Sequence, residues 1–173
     1  MYFNQFPTIA YDVTGVGTTS KIKDILIRVK VRDYIKNNRS WFAKYIVGGD
    51  ETPDMVSFDV YGKTAYHWVV LLFNQITNPY YDWPLGRQAF FAFVNNKYVD
   101  LNAIHHYEIA QKSGLNTTKI IVELADEPTA TAVTNLEYET ELQDRKRQIL
   151  LVKHGFFNLV VSDFRSEIEN AKS

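Results

Sequence analysis

The stretch Tyr61 to Leu85, YGKTAYHWVVLLFNQITNPYYDWPL, decides how the rest of the chain is read. Tyr61-Gly62 has the form of a helix end, because a glycine just past the last helical position adopts positive φ and lets trailing carbonyls find donors. A second helix is expected at once. Thr64 is its candidate N-cap, and Tyr66, Trp68, Val69, Val70, Leu71, Leu72 and Phe73 leave almost no polar face, which marks a helix enclosed on all sides. Asn74 stops it. Asn78-Pro79 and Trp83-Pro84 then predict an extended, turning path, since a residue before proline is pushed out of the α region.

Upstream, Pro53 suits a first helical position and Asp54 suits the dipole there, so a short helix is expected over Pro53 to Tyr61. It follows a strand carrying Trp41, Phe42, Tyr45, Ile46 and Val47 that ends at Gly48-Gly49. Strand, short helix, glycine turn and buried helix form a small βαα unit. Before it, Ile25 to Arg32 alternates apolar and polar residues and predicts a half-buried strand, with Asn37-Asn38 as a turn. The N-terminal residues 1–24 carry Phe3, Phe6, Ile9 and Tyr11 among Pro7, Gly15 and Gly17. They are too short and broken for a core of their own, and predict an arm lying on another surface.

Downstream, Phe90, Phe91, Phe93, Val94 and Tyr98 fall at helical spacing over Arg87 to Tyr98. Ile104 to Gln111 and Lys119 to Leu124 predict a hairpin turning at Ser113 to Asn116, and Thr129 to Thr134 a loop. Asn135 to Arg147, acids first and bases last, fits either a helix or a solvated connector. Gln148 to Lys153 predicts a short strand. A final helix after Gly155 has Phe156, Phe157, Val160, Val161, Phe164 and Ile168 as its stripe, with Ser162, Asp163, Arg165, Glu167 and Glu169 facing away. The expected class is α+β, in four parts: an arm over 1–24, a core over 25–100, an inserted β-hairpin over 101–134, and connector, strand and helix over 135–173.

The 173 residues suffice for a substantial core, with 46% hydrophobic residues, eleven Phe, eleven Tyr and three Trp. A net charge of −1 gives no global field toward nucleic acid or an anionic membrane. The basic run Lys21, Lys23, Arg28, Lys30, Arg32, Lys36 and Arg39 lacks a docking motif and fits a solvated face or an acidic protein partner better than nucleic acid. No apolar run approaches the roughly 18 residues of a membrane span, and the start has no signal-peptide pattern. The absence of cysteine excludes disulfides and thiolate metal sites.

Chemistry finds little purchase. His105-His106 with Glu108 is the nearest approach to a metal cluster, but strand alternation puts His106 and Glu108 on one side and His105 on the other, so no metal is expected. His67 is expected as a hydrogen-bonded core histidine. No nucleophile elbow, P-loop or GxGxxG occurs, and Asp50, Glu51 and Asp54 serve helix initiation, so no catalytic residue and no cofactor is expected. The large aromatics Trp41, Tyr80, Tyr81 and Trp83 flank the regular elements, and each can bury about 150–250 Å². Either they fold back on this chain or they anchor a partner. Phe3 and Phe6 of the arm and Phe156 and Phe164 of the last helix are candidate partner contacts of the same kind.

The run from Tyr45, YIVGGDETPDMVSFDVYGKTAYHWVVLLFNQITNPYYDWPL, together with FPTIAY before it and KRQILLV after it, resembles the small baseplate wedge subunits of contractile-tailed phages, the gene 53 family of the T-even phages. Pro53, Tyr61, Gly62, Trp68, Asn74, Pro79, Tyr80 and Trp83 carry the likeness. The βαα order also resembles a LysM module, but where a closing strand is due after Asn74, the residues NPYYDWP stand instead. The resemblance implies a structural virion protein of the tail baseplate, assembled in the host cytoplasm. It would be present in several copies, clamping neighbouring wedge subunits to each other and to central hub proteins, with no catalysis. The alternative it leaves is a LysM-type module binding peptidoglycan or chitin, a reading weakened by the departure after Asn74.

Overall fold

The computed structural model describes residues 2–27, 31–111 and 118–170. In chain order its elements are β1 (Thr8–Tyr11), β2 (Ser20–Lys23), α1 (Asp33–Asn37), β3 (Phe42–Ile46), α2 (Pro53–Tyr61), α3 (His67–Phe73), α4 (Pro79–Asp82), α5 (Arg87–Lys97), β4 (Ile104–Ala110), β5 (Lys119–Val122), β6 (Thr131–Thr134), α6 (Asn135–Arg147), β7 (Gln148–Val152) and α7 (His154–Asn170). The class is α+β. Two compact units are drawn from these residues, one from 1–47, 51–82 and 148–173 and the other from 48–50 and 83–147.

In the first unit, α2 runs over Pro53 to Tyr61 as its sequence requires, with Pro53 at the start and Gly62 at φ 71° ending it. The Gly62 amide donates to the Phe58 carbonyl, and Ser57 Oγ donates to Lys63 O at 2.6 Å, so the turn into the next segment is fastened twice. Thr64 does not cap the second helix. Thr64–Tyr66 forms a 3-10 turn, and α3 proper begins at His67, whose Nδ1 lies 3.0 Å from Thr64 O. The helix is less enclosed than its composition suggests. Trp68, Val69 and Val70 are buried, whereas Leu71, Leu72 and Phe73 are half-buried, because the far end of α3 borders an open groove.

No strand follows Asn74 directly. The antiparallel neighbour of β3 is β7, in the register Phe42↔Val152, Lys44↔Leu150 and Ile46↔Gln148. Asn74 bridges to that strand instead of joining it. Its Nδ2 donates to Leu150 O and its Oδ1 accepts from Leu150 N, both at 2.8 Å, so a side-chain amide occupies the place of a third strand residue. Tyr61 Oη donates to Val152 O at 3.1 Å, and burial pushes this phenol's pKa up to about 12.

The last helix, α7, buries Phe157, Val160, Val161, Phe164 and Ile168, a stripe at helical spacing. Its rings fit those of the helical hairpin. Phe157 stacks on Tyr61 at 4.1 Å and meets Tyr66 edge-on at 4.8 Å, while Phe164 lies 4.6 Å from Trp68. Asp163 and Glu167 do not simply face solvent. Arg32 Nη1 lies 3.3 Å from Asp163, Arg32 also pairs with Glu167, and Tyr34 donates to Asp163 at 3.0 Å. Arg165 likewise turns to Gln5, at 3.2 Å.

Within the N-terminal residues expected as an arm, β1 and β2 form a hairpin, paired Thr8↔Lys23 through Tyr11↔Ser20. The strand expected over Ile25 to Arg32 does not form where it is visible: Ile25 and Leu26 lie in an exposed turn, and Arg28, Val29 and Lys30 lie outside the described residues. Alternation alone could not supply the partner strand such a segment needs.

In the second unit the sheet order is β5-β4-β6, all antiparallel. The expected hairpin is present, although its turn at Ser113 to Asn116 lies outside the described residues. Thr131–Thr134 is a strand and not a loop, because it finds an edge of β4 to pair with. Asn135 to Arg147 is the helix and not the connector. Thr134 and Glu137 form a capping box, Thr134 N donating to Glu137 Oε2 at 2.8 Å and Glu137 N to Thr134 Oγ1 at 3.2 Å. Gly86 opens α5 beside Asp50, where a Cβ would come within 2.5 Å of the Asp50 carboxylate that accepts from Arg87 N.

Asn74→Ala removes both bonds to Leu150, each worth about 0.5–1.5 kcal/mol, and is expected to cost about 1–3 kcal/mol in urea unfolding. Tyr61→Phe, losing one hydroxyl bond, is expected to cost about 0.5–1.5 kcal/mol. A smaller loss for Asn74→Ala than for Tyr61→Phe would contradict the edge-sealing role.

Candidate functional site

The aromatic residues singled out in the sequence divide by where the fold puts them. Trp41 folds back on this chain: its ring stacks on Phe156 at 4.9 Å with planes 10° apart, and Tyr34 meets it edge-on at 6.1 Å. Lys153 N donates to Trp41 O at 2.8 Å, which fixes the start of α7 against this platform. Phe6, Phe164 and Trp83 are buried at 3%, 3% and 6% exposure, so as candidate partner contacts they are corrected to interior residues. Their burial follows from the same apolar area that suggested an interface. Trp83 falls in the second unit, whereas Tyr80 and Tyr81 belong to the first.

Tyr80 and Tyr81 stay outside, 88% and 75% exposed. The sequence predicts an extended path here, but Pro79 opens the short helix α4. Asn78 caps it: Oδ1 accepts from Tyr80 N at 3.1 Å, and Asp82 Oδ2 accepts from Asn78 N at 3.0 Å. This reciprocal pair holds the turn rigid while both phenol rings project. The motif Asn-Pro-x-x-Asp carried that signal, an N-cap followed by proline at the first helical position.

The hairpin β1–β2 is the second exposed feature. Ile9, Tyr11 and Ile22 are exposed along it, as are Val13 and Val16 at its tip, and Phe3 before it is 54% exposed with its ring 5.8 Å from Phe6. The tip is ordered by one carboxylate. Asp12 accepts from the amides of Thr14 at 3.0 Å, Gly15 at 2.7 Å and Gly17 at 2.6 Å. Gly15 and Gly17 have φ of 72° and 88°, which only glycine adopts without strain. Lys23 Nζ ties the base, donating to Phe6 O at 2.7 Å and Asn4 O at 3.1 Å.

Residues proposed for chemistry are placed differently from expectation. A register shift between Ile104 and His106 breaks the alternation of β4, so His105 and His106 do not separate to opposite faces. Their Nδ1 atoms lie 2.9 Å apart, and both rings contact Tyr138, His105 stacked at 3.9 Å and His106 edge-on at 5.7 Å. Glu108 pairs with Lys119. Among the described residues there is no group of three or more His, Cys, Asp or Glu able to hold a metal, and no helix long and apolar enough to cross a membrane. The buried acid is Glu139, at 2% exposure. It accepts from Lys97 Nζ at 2.6 Å and Tyr98 Oη at 2.9 Å, so it is matched by a cation and a phenol, as a structural buried carboxylate must be.

Among the described residues, the features this surface presents are exposed aromatic and apolar side chains. The family described as base plate wedge protein 53 matches residues 1–170 of the chain. The chain belongs to that family. Among curated proteins it is similar to the baseplate wedge protein gp53 of Enterobacteria phage T4, 28% identical over 103 residues that cover 57% of this chain and 52% of the relative. The match thus spans about half the length of that relative. Membership makes this a structural component of a phage tail baseplate.

The Asp12 tip gives a pH signature of its own. The Gly17 amide, followed by those of Gly15 and Thr14, holds the Asp12 carboxyl below its usual value. A depressed carboxylate pKa contributes order that is full above the unfolded value of about 3.9 and is lost as pH falls through the lower folded value. The Gly15 and Gly17 amide NMR shifts are expected to titrate together as pH falls through that lowered value. In Asp12→Asn they are expected to lose that pH-dependent step, while the β1–β2 cross-strand signals persist near neutrality.

Proposed function

We propose that the chain is a clamp of the baseplate wedge, gripping neighbouring wedge subunits and the central hub through surfaces its own fold leaves uncovered. The observation that carries this is the pair Tyr80 and Tyr81, held out on a capped turn at 88% and 75% exposure. Covering one such ring recovers up to about 4–6 kcal/mol at about 25 cal/mol per Å², and tyrosine is among the residues that dominate interface energetics. The hairpin β1–β2 supplies a second contact, since its apolar residues gain burial only from something outside it. The clamp acts in several copies around the tail and performs no catalysis, consistent with the structural character of its family. Neither nucleic acid nor a membrane is needed as a partner: the net charge is −1, and the exposed pair is aromatic and uncharged.

The βαα order, with β7 as the strand antiparallel to β3, supports a LysM-like scaffold used here for protein contacts. Of the candidate contacts, Tyr80, Tyr81 and Phe3 serve as anchors, while Trp41 and Phe156 stack on each other.

Co-expression with the wedge neighbours of the same phage tests the clamp. Tyr80→Ala/Tyr81→Ala is expected to weaken co-purification by about 2–4 kcal/mol, roughly thirtyfold or more, with the melting temperature of the isolated chain unchanged. Phe164→Ala, by contrast, is expected to lose about 3–5 kcal/mol of stability through a core cavity. Undiminished assembly of the double tyrosine variant would remove those residues from the interface, and failure of the wild-type chain to join any wedge protein would sink the clamp itself.

A further inference from the structure

The two-stranded sheet β3–β7 has one sealed edge and one open edge. In an antiparallel pair, residues alternate between those that exchange hydrogen bonds across the ladder and those whose N–H and C=O point outward. Leu150 gives both groups to Asn74, so its opposite residue Lys44 belongs to the outward-pointing set as well. The Lys44 N–H and C=O therefore face away from β7, and β3 has no second neighbouring strand among the described residues.

Over the sheet face that carries Phe42, Lys44 and Leu150, and so reaching this edge through the β3 side chains, lies a groove of about 860 Å³. Phe42, Phe73 and Leu150 contribute apolar walls, with the two phenylalanine rings 5.4 Å apart, and Lys36, Arg39 and Lys44 line it too. No carboxylate is among its described lining residues, and those three cations make no ion pair among the described residues. A lysine on an edge strand can serve simply to discourage strand addition. That role requires no apolar groove beside it and no second or third cation around it.

We propose that this groove is a docking site for an extended segment of another baseplate protein, one in which acidic residues flank one or two large apolar side chains and whose backbone adds to β3. The proposal rests on the assembly role above. Strand addition supplies main-chain hydrogen bonds at Lys44, the alternating side chains of the added strand reach the groove, and the flanking carboxylates meet Lys36, Arg39 and Lys44. A nucleic acid backbone would satisfy the cations alone, leaving the strand edge and the apolar walls unused.

The test uses the full chain and a fluorescein-labelled peptide, Glu-Glu-Leu-Thr-Phe-Glu-Glu, read by fluorescence anisotropy. Saturable binding is expected. It should weaken about tenfold or more when glycine replaces Leu and Phe in the peptide, when lysine replaces its glutamates, or when its central amides are N-methylated. Arg39→Glu/Lys44→Glu in the protein should have the same effect, and Arg39→Gln/Lys44→Gln a smaller one. The glutamine variant keeps the comparison valid should charge reversal disturb folding, which thermal melts report. Absence of saturable binding, indifference to both double variants, or equal binding of a short oligothymidylate would each overturn the proposal. Peptide binding that fails while the wild-type chain still enters the wedge complex removes the groove alone. Peptide binding that succeeds in a chain which enters no wedge complex leaves the groove standing and removes the clamp.

Discussion

Five rungs of antiparallel pairing between Phe42–Ile46 and Gln148–Val152 close the first unit, and most of its other features depend on that closure. A two-stranded sheet is marginal in water without a covering layer. Here α3 packs against β7, and the side chains of Asn74 and Tyr61 bond to backbone groups along β7 that a third strand would otherwise meet. Remove the pairing and α7 loses its anchor, since the strand leads into the helix through Lys153 alone.

The two strands are far apart in sequence, and closing a long loop is costly. The chain between them reduces that cost by folding on itself. Within the second unit, Arg147 donates to Gly48 O at 2.9 Å and to Leu85 O at 3.4 Å, gathering residues that lie close to three points where the chain passes from one unit to the other. Gly48 lies just beyond β3 and Arg147 just before β7, while Ile46 pairs with Gln148. Within the second unit, one guanidinium thus holds Gly48 and Leu85 to the end of α6. Its planar fork suits two carbonyls at once, a task that a lysine ammonium performs less rigidly.

Local chemistry was legible in the sequence and long-range pairing was not. Pro53 and Gly62 delimit α2 because both act through their own backbone angles, and the stripe of α7 shows its period without reference to any partner. The closing strand was invisible as such, because QILLV states only that a strand exists and not which edge it seeks. Thr131–Thr134 failed for the same reason, its small polar residues acquiring strand form from β4. His105 was misplaced because a bulge shifts the alternation by one residue, a change no pattern count detects. The aromatics divided along a similar line. Trp41, Trp83 and Phe164 had the composition of interface anchors, but area favours burial wherever it is offered, and this fold offers it first. Asn78-Pro79 with Asp82 did carry the α4 cap in plain sequence, and the pre-proline rule for Asn78 obscured it, although a residue in N-cap conformation is extended already.

An assembly subunit must avoid joining itself before it meets its neighbours, and a net charge of −1 supplies no general repulsion to prevent this. Selectivity has to come from the pattern of each exposed feature. The open edge of β3 is flanked by Lys36, Arg39 and Lys44, so two copies approaching edge to edge would bring like charges together. A complementary acidic strand meets no such opposition. The apolar hairpin tip is likewise restrained, not by charge but by the Asp12 cage, which spends its backbone amides internally and leaves fewer to recruit a stray strand. Exposure and restraint together make these surfaces available to a specific neighbour while raising the cost of a wrong one.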